Sequence, residues 1–223
     1  MDFSVLSGYY GVFMAGAKTT ITISLVSLVV GFALGLLICL MKMSKIKILR
    51  WPASAYVQIL RGTPLFVQIF IIYFGLPQLG IQFPDIGPFS SDFVSGAFAL
   101  SINSSAYIAE IFRSGIQSVD KGQMEASRSL GLGYVDTMRY VIVPQAVKNV
   151  LPALGNEFIT LVKESSIISV IGVQELMFKA GIVRTSLYRP FEPYIMAALM
   201  YLVMTTVLSL LVGLLEKKLA QSN

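Results

Sequence analysis

Apolar residues gather in five long runs, at 19–41, 52–79, 93–112, 143–162 and 193–215, with a weaker apolar tail carrying the fourth to 173. A helix that crosses roughly 30 Å of hydrocarbon needs about 20 largely apolar residues. The pattern therefore predicts an all-α integral membrane protein with five transmembrane helices. Gly31 and Gly35 in the first run have the spacing that lets a second helix approach closely. The second run is interrupted by Arg61-Gly62-Thr63-Pro64, where Pro64 cannot donate its backbone hydrogen bond and should kink or break the helix.

The polar segments between the runs set the expected topology. Lys42, Lys45, Lys47 and Arg50 follow the first run, whereas residues 82–92 contain no basic residue. Basic loops stay on the cytoplasmic side. The N-terminus is thus expected outside, with residues 113–143 and the C-terminal Lys217-Lys218 in the cytoplasm. Lys179, Arg184 and Arg189 fall on the other side, so the assignment follows the majority of the charges. Within 113–143, Asp120 should cap a short helix, Gln123 close a capping box and Gly131 end it. Residues 134–141 should form a second. These are the expected cytoplasmic coupling helices.

Composition narrows the chemistry. The chain has 223 residues, 55% hydrophobic and 13% charged, with a net charge of +5. Its basic residues are scattered through short loops rather than gathered on one face, which argues against nucleic-acid binding. A single cysteine, Cys39, and no histidine leave no disulfide and no zinc site to build. Neither a nucleophile elbow nor paired metal-binding acids are present, so no catalytic residue is expected. No GxxxxGK[ST] phosphate loop is present, and energy must come from another subunit or an ion gradient. The first residues lack the basic region and short apolar core of a secretory signal.

Glu125-Ala126-Ser127, then after three residues Gly131, then after nine more Val141-Ile142-Val143-Pro144, resembles the EAA loop of bacterial ABC import permeases. Ser stands at its third position, and Val replaces the usual Ile and Leu. Arg61-Gly62-Thr63-Pro64-Leu65, Ala106-Tyr107-Ile108-Ala109-Glu110 and Lys121-Gly122-Gln123 are similar to the polar amino-acid branch of that family. The resemblance implies one permease domain over 1–223 in the bacterial cytoplasmic (inner) membrane. It implies a second permease subunit, identical or a paralogue, and an extracytoplasmic amino-acid-binding protein. It also implies two ATPase subunits, which use ATP and Mg and dock on Gln123, Glu125, Ala126, Ser127 and Gly131. No cofactor is expected in this chain.

Polar residues inside a membrane helix cost roughly 2.5–3.5 kcal/mol each when charged, so function is the first explanation for them. Glu157 lies about 18 Å along its helix from Gln145, and Asn103 about 15 Å from Phe93, placing both near the bilayer midplane. Glu157, Thr160 and Glu164 share a helix face, with Asn156, Thr160 and Lys163 beside them. Glu157, Asn103, Ser104, Thr160, Thr63 and Gln68 are thus the candidate substrate path. A midplane carboxylate suits a cationic side chain, and neutral-substrate members of the resembled branch often carry a small or uncharged residue there. The resemblance thus favours arginine, lysine or histidine, with glutamine or another polar amino acid as the alternative. Glu157 pairing with Lys163 or Arg61, or bonded to Asn103, is the structural reading. Arg61, Glu110 and Arg113 are expected to pair as a cytoplasmic gate, and Lys163 with Glu164 at an outer one. A secondary transporter or channel would instead use Glu110 or Glu157 to carry ions.

Overall fold

In the computed structural model, which describes residues 3–221, a 3-10 turn at Phe3–Tyr9 leads into α1 (Tyr10–Met43). There follow α2 (Lys47–Gly62), α3 (Leu65–Phe70), a π turn, α4 (Leu76–Gln78) and α5 (Ser91–Gln117). Then come α6 (Lys121–Ser129), α7 (Tyr134–Thr137), a second π turn, α8 (Val143–Glu164), a 3-10 turn at Ser165–Ile171, α9 (Leu176–Leu187) and α10 (Phe191–Ala220). The described residues contain no strand beyond an isolated bridge between Ile86 and Phe89. The fold is all-α and of membrane type.

Among the described residues, two helices are long and apolar enough to cross a membrane outright, Phe3–Met43 and Phe191–Leu219. Two bent pairs match the second and fourth expected spans: Lys47–Gly62 with Leu65–Gln78, set at 109°, and Tyr134–Ile171 with Leu176–Leu187, at 51°. The third expected span is α5, whose 27 residues reach about 40 Å. Its apolar character is diluted because Ser95, Ser101, Asn103, Ser104 and Ser105 are turned into the bundle and buried. There, helix partners rather than lipid receive them.

The break at Pro64 is sharper than a kink. Thr63 is extended at φ −122°, as the residue before proline prefers, and Pro64 starts a new helix rather than continuing α2. Gln68 satisfies the freed carbonyls: its Nε2 donates to Leu60 O at 2.8 Å, Thr63 O at 3.1 Å and Thr63 Oγ1 at 2.9 Å. Asn103 Nδ2 holds Gln68 Oε1 at 2.9 Å, tying the break to α5.

α5 is the central post, with α1 lying along it. A Cβ on Gly35 would stand 2.7 Å from Ile108 Cγ2 and 2.9 Å from the Ser105 carbonyl oxygen. The backbones touch there, as the glycine spacing predicts. Gly35→Val is expected to force α1 off α5, destabilising the protein by about 1–3 kcal/mol. Gly11→Val, with nothing within 4 Å, is the neutral control, and thermal unfolding of the detergent-solubilised protein reads both. Among its described residues α10 buries the apolar side chains of Pro193 and Ala197 and exposes Leu199, Leu202, Val203, Val207, Leu210, Leu211 and Leu214, as a helix immersed in lipid or covered by a partner does.

Lys179 and Arg184, expected in a loop after the fourth run, lie instead in α9 (Leu176–Leu187). Glu175 caps it, accepting from Met177 N at 2.8 Å and Phe178 N at 2.7 Å. Tyr201 Oη on α10 donates to the same carboxyl at 2.6 Å, and Leu176 N donates to Thr20 Oγ1 on α1 at 3.2 Å. Glu175 is fully buried, so one carboxyl ties α9 to α10. Glu175→Ala strands three donors away from water and is expected to cost about 3 kcal/mol or more. Tyr201→Phe removes one donor and should cost about 1 kcal/mol. Unfolding midpoints of the two variants provide the check.

Candidate functional site

Helix α8 runs without interruption from the loop to the middle of the bundle. Residues 134–141, expected as a separate coupling helix, are instead α7 and a π turn (Met138–Ile142) fused to α8. Pro144 has no N–H to offer the preceding turn, and the wider i→i−5 register absorbs that loss. From Tyr134 to Glu157 the rod is about 35 Å long. α6 is the free-standing piece of the loop. Asp120 caps it by accepting from Gly122 N at 2.7 Å. Gln123 does not close a capping box: its Oε1 faces Gln145 Nε2 of α8 at 3.3 Å, linking α6 to the rod. Gly131, at φ +88°, ends α6. Gly131 N donates to Arg128 O at 3.0 Å and Leu132 N to Ser127 O at 3.2 Å, the paired bonds of a Schellman turn. Glu125 and Ala126 point outward, while Ser127 is buried, its hydroxyl donating to Gln123 O at 2.7 Å. Beyond the turn, Leu130, Tyr134 and Val135 are exposed at 85%, 59% and 72%. This apolar tip is what a docking partner would cover.

At the other end of the rod lies a cavity of about 530 Å³ between α2, α5 and α8. Arg61, Tyr107, Glu110 and Ser114 line it from one side; Asn156, Glu157 and Thr160 line it from α8. Ser104 Oγ, buried on α5, donates to Glu157 Oε1 at 2.6 Å, fixing the carboxyl's direction. Thr160 Oγ1 donates to Asn156 O at 3.1 Å.

The structure divides the candidate residues. Glu157, Ser104 and Thr160 come together at the cavity. Thr63, Gln68 and Asn103 do not line it; their polar groups are spent on the α2–α3 break. Glu157 bonds to neither Asn103, Lys163 nor Arg61, the partners that a purely structural reading supplied.

The expected pairing of Arg61, Glu110 and Arg113 forms around Glu110. Arg113 approaches Oε2 through Nη2 at 2.6 Å and Nε at 3.0 Å. Arg61 Nη1 stands 3.8 Å from the same oxygen, its guanidinium over the Tyr107 ring at 5.3 Å from the centroid. Lys42 of α1 bonds Glu110 Oε1, a role that its place among the basic residues after the first apolar run does not reveal. Three cations thus surround one carboxylate, and Arg61 is the loosest, with its side chain 44% exposed. Lys163 and Glu164, by contrast, form no ion pair within 4 Å among the described residues. Consecutive residues on a helix point about 100° apart, and these two diverge.

A bundle of membrane helices with a charged, open pocket, joined by one rod to an exposed apolar tip, has the architecture of a transport subunit. The chain belongs to the family described as binding-protein-dependent transport system inner membrane components, whose pattern matches residues 27–221. It is 43% identical to the "Probable glutamine ABC transporter permease protein GlnM" of Bacillus subtilis over all of both chains. It is 40% identical to the arginine transport system permease protein ArtQ of the same organism, over 100% of this chain and 99% of that one. A solved amino acid ABC transporter with histidines superposes with a TM-score of 0.91 at 49% identity, covering 98% of this chain and 99% of that one. The inward-facing methionine transporter MetNI shares the fold, with a TM-score of 0.79 at 19% identity over 96% and 98% of the two chains. The chain is therefore an amino-acid ABC transporter permease subunit of the inner membrane, with ATP hydrolysis carried by separate subunits.

Proposed function

We propose that this permease subunit imports cationic amino acids, arginine, lysine or histidine, by alternating access. The observation that carries the reading is one cavity lined by both Glu157 and Arg61. An amino acid with a basic side chain carries an anion at one end and a cation at the other. Glu157, held by Ser104, meets the side-chain cation, and Arg61, loosely tethered to Glu110, meets the α-carboxylate. A volume of about 530 Å³ lies in the range of small-ligand sites. The relative named for arginine and the solved relative with histidines support the assignment.

Two ATPase subunits, using ATP and Mg, dock on α6 and its Schellman turn through Gln123, Glu125, Ala126, Ser127 and Gly131. A second permease subunit, identical or a paralogue, completes the path, and an extracytoplasmic binding protein supplies substrate. The N-terminus lies outside and the C-terminus in the cytoplasm, following Lys42, Lys45, Lys47, Arg50, Lys217 and Lys218. The cluster of Glu110 with Lys42, Arg61 and Arg113 then closes the inner end of the path. Its carboxylate is occupied by cations and is poorly placed to relay ions by itself, which disfavours a channel or secondary transporter.

Glutamine is the second reading, favoured by the relative named for it. ATP-dependent uptake of labelled arginine, lysine, histidine and glutamine into proteoliposomes holding the complex and its ATPase separates the two. Preference for the three cationic substrates is expected, and preference for glutamine would replace this reading with the second.

A further inference from the structure

The turn joining α1 to α2 takes no part in the cavity or the docking tip, yet it is strongly charged. Lys45, Lys47 and Arg50 are exposed there, and none has an acidic partner within 4 Å among the described residues. The local field is uncompensated along the chain as well, because no Asp or Glu occurs between Asp2 and Asp85. Lys42 nearby is taken by Glu110.

Large apolar side chains stand beside these charges. Ile46 is 59% exposed, Ile48 83% and Trp51 70%. On α2, Ile48, Trp51, Ala55 and Ile59 follow helical spacing on one outward face. The opposite face buries Ala53 and Val57, and Val57 packs with Cys39, Ala106 and Ala109. α2 thus has one apolar stripe for the bundle and a second for its surroundings. The second ends in unpaired cations and a tryptophan, the arrangement that seats a lipid: acyl chains along Ile48, Trp51 and Ile59, headgroup against Lys45, Lys47 and Arg50.

We propose that the α1–α2 turn is a binding site for anionic phospholipid headgroups, phosphatidylglycerol being the simplest. The charge balance selects the occupant: a zwitterionic headgroup brings its own cation, whereas an anionic one neutralises the surplus. The site holds whichever amino acid the cavity carries.

Trp51 is the single tryptophan of the chain, so it reports on its own site. The complex with its ATPase subunits is placed in phosphatidylcholine nanodiscs containing equal mole fractions of lipid brominated on its acyl chains, either phosphatidylglycerol or phosphatidylcholine. The difference in quenching between wild type and Trp51→Phe removes the signal of other subunits. The anionic lipid is expected to be enriched about fivefold at Trp51. That preference should vanish in the triple variant Lys45→Gln, Lys47→Gln, Arg50→Gln. It should also vanish in about 1 M salt, where the Debye length is about 3 Å. Equal quenching by the two lipids in the wild type overturns the proposal, as does a preference that survives in the triple variant. Absence of Trp51 quenching by either lipid overturns it too, because a protein subunit then covers this face.

Discussion

Glu157→Gln is expected to lower the apparent affinity for arginine, lysine and histidine by about 30- to 1,000-fold while leaving glutamine uptake within a few-fold of its original level. The change is nearly isosteric, and glutamine keeps an oxygen for Ser104 Oγ, which now stands 2.6 Å from Glu157 Oε1. The fold and the cavity walls should survive. What is lost is a partly buried charge pair with the substrate's ammonium, guanidinium or imidazolium, a loss of about 2–4 kcal/mol. Direct calorimetric titration of the complex without the binding protein removes the selectivity that a delivery subunit adds. Unchanged arginine affinity would take Glu157 out of the site. An equal loss for glutamine would mean that the substitution damages the cavity rather than its charge recognition.

The same residues show how far the sequence could be read. The long apolar runs located the membrane helices because about 20 successive apolar residues are what a helix needs to cross the hydrocarbon core. The Gly31 and Gly35 spacing pointed to a close helix approach, and at Gly35 an added Cβ would clash with Ile108 and the Ser105 carbonyl of α5. Charge at the middle of an apolar run singled out Glu157 for a similar reason: such a group has to be explained. The polar amides were harder. Gln68 and Asn103 lie in apolar runs as Glu157 does, but only geometry reveals that Pro64 leaves Leu60 and Thr63 carbonyls in need of donors and that Gln68 supplies them. Lys42 was ambiguous because a lysine at a helix end serves topology and an ion pair equally well, and its partner Glu110 is 68 residues away. α9 escaped detection because its start signal, Glu175, caps the helix with a side chain that sequence alone reads as a loop charge. Helix capping by glutamate is weaker as a pattern than by Ser, Thr, Asp or Asn.

Replacing Gly131 should separate transport from substrate binding. At φ +88° this residue occupies the left-handed region, where a side chain on an L-residue costs roughly 1–2 kcal/mol and a β-branched one is a genuine outlier. The space around it is open, with nothing within 4 Å of an added Cβ, so the penalty falls on the backbone and not on packing. Gly131→Val is therefore expected to open the Schellman turn and swing α6 away from the rod of α7 and α8. Gly131→Asn, whose side chain tolerates the left-handed conformation, should keep most of the turn. ATP-driven uptake is expected to fall about tenfold or more in the valine variant and only a few-fold in the asparagine one. Arginine affinity at the cavity should hold in both, because Glu157 lies about 35 Å from Tyr134 along the helix. Equal uptake by the two variants would mean that the left-handed turn does not transmit the ATPase stroke. Reduced substrate affinity in the valine variant would mean that the turn and the cavity are a single cooperative unit.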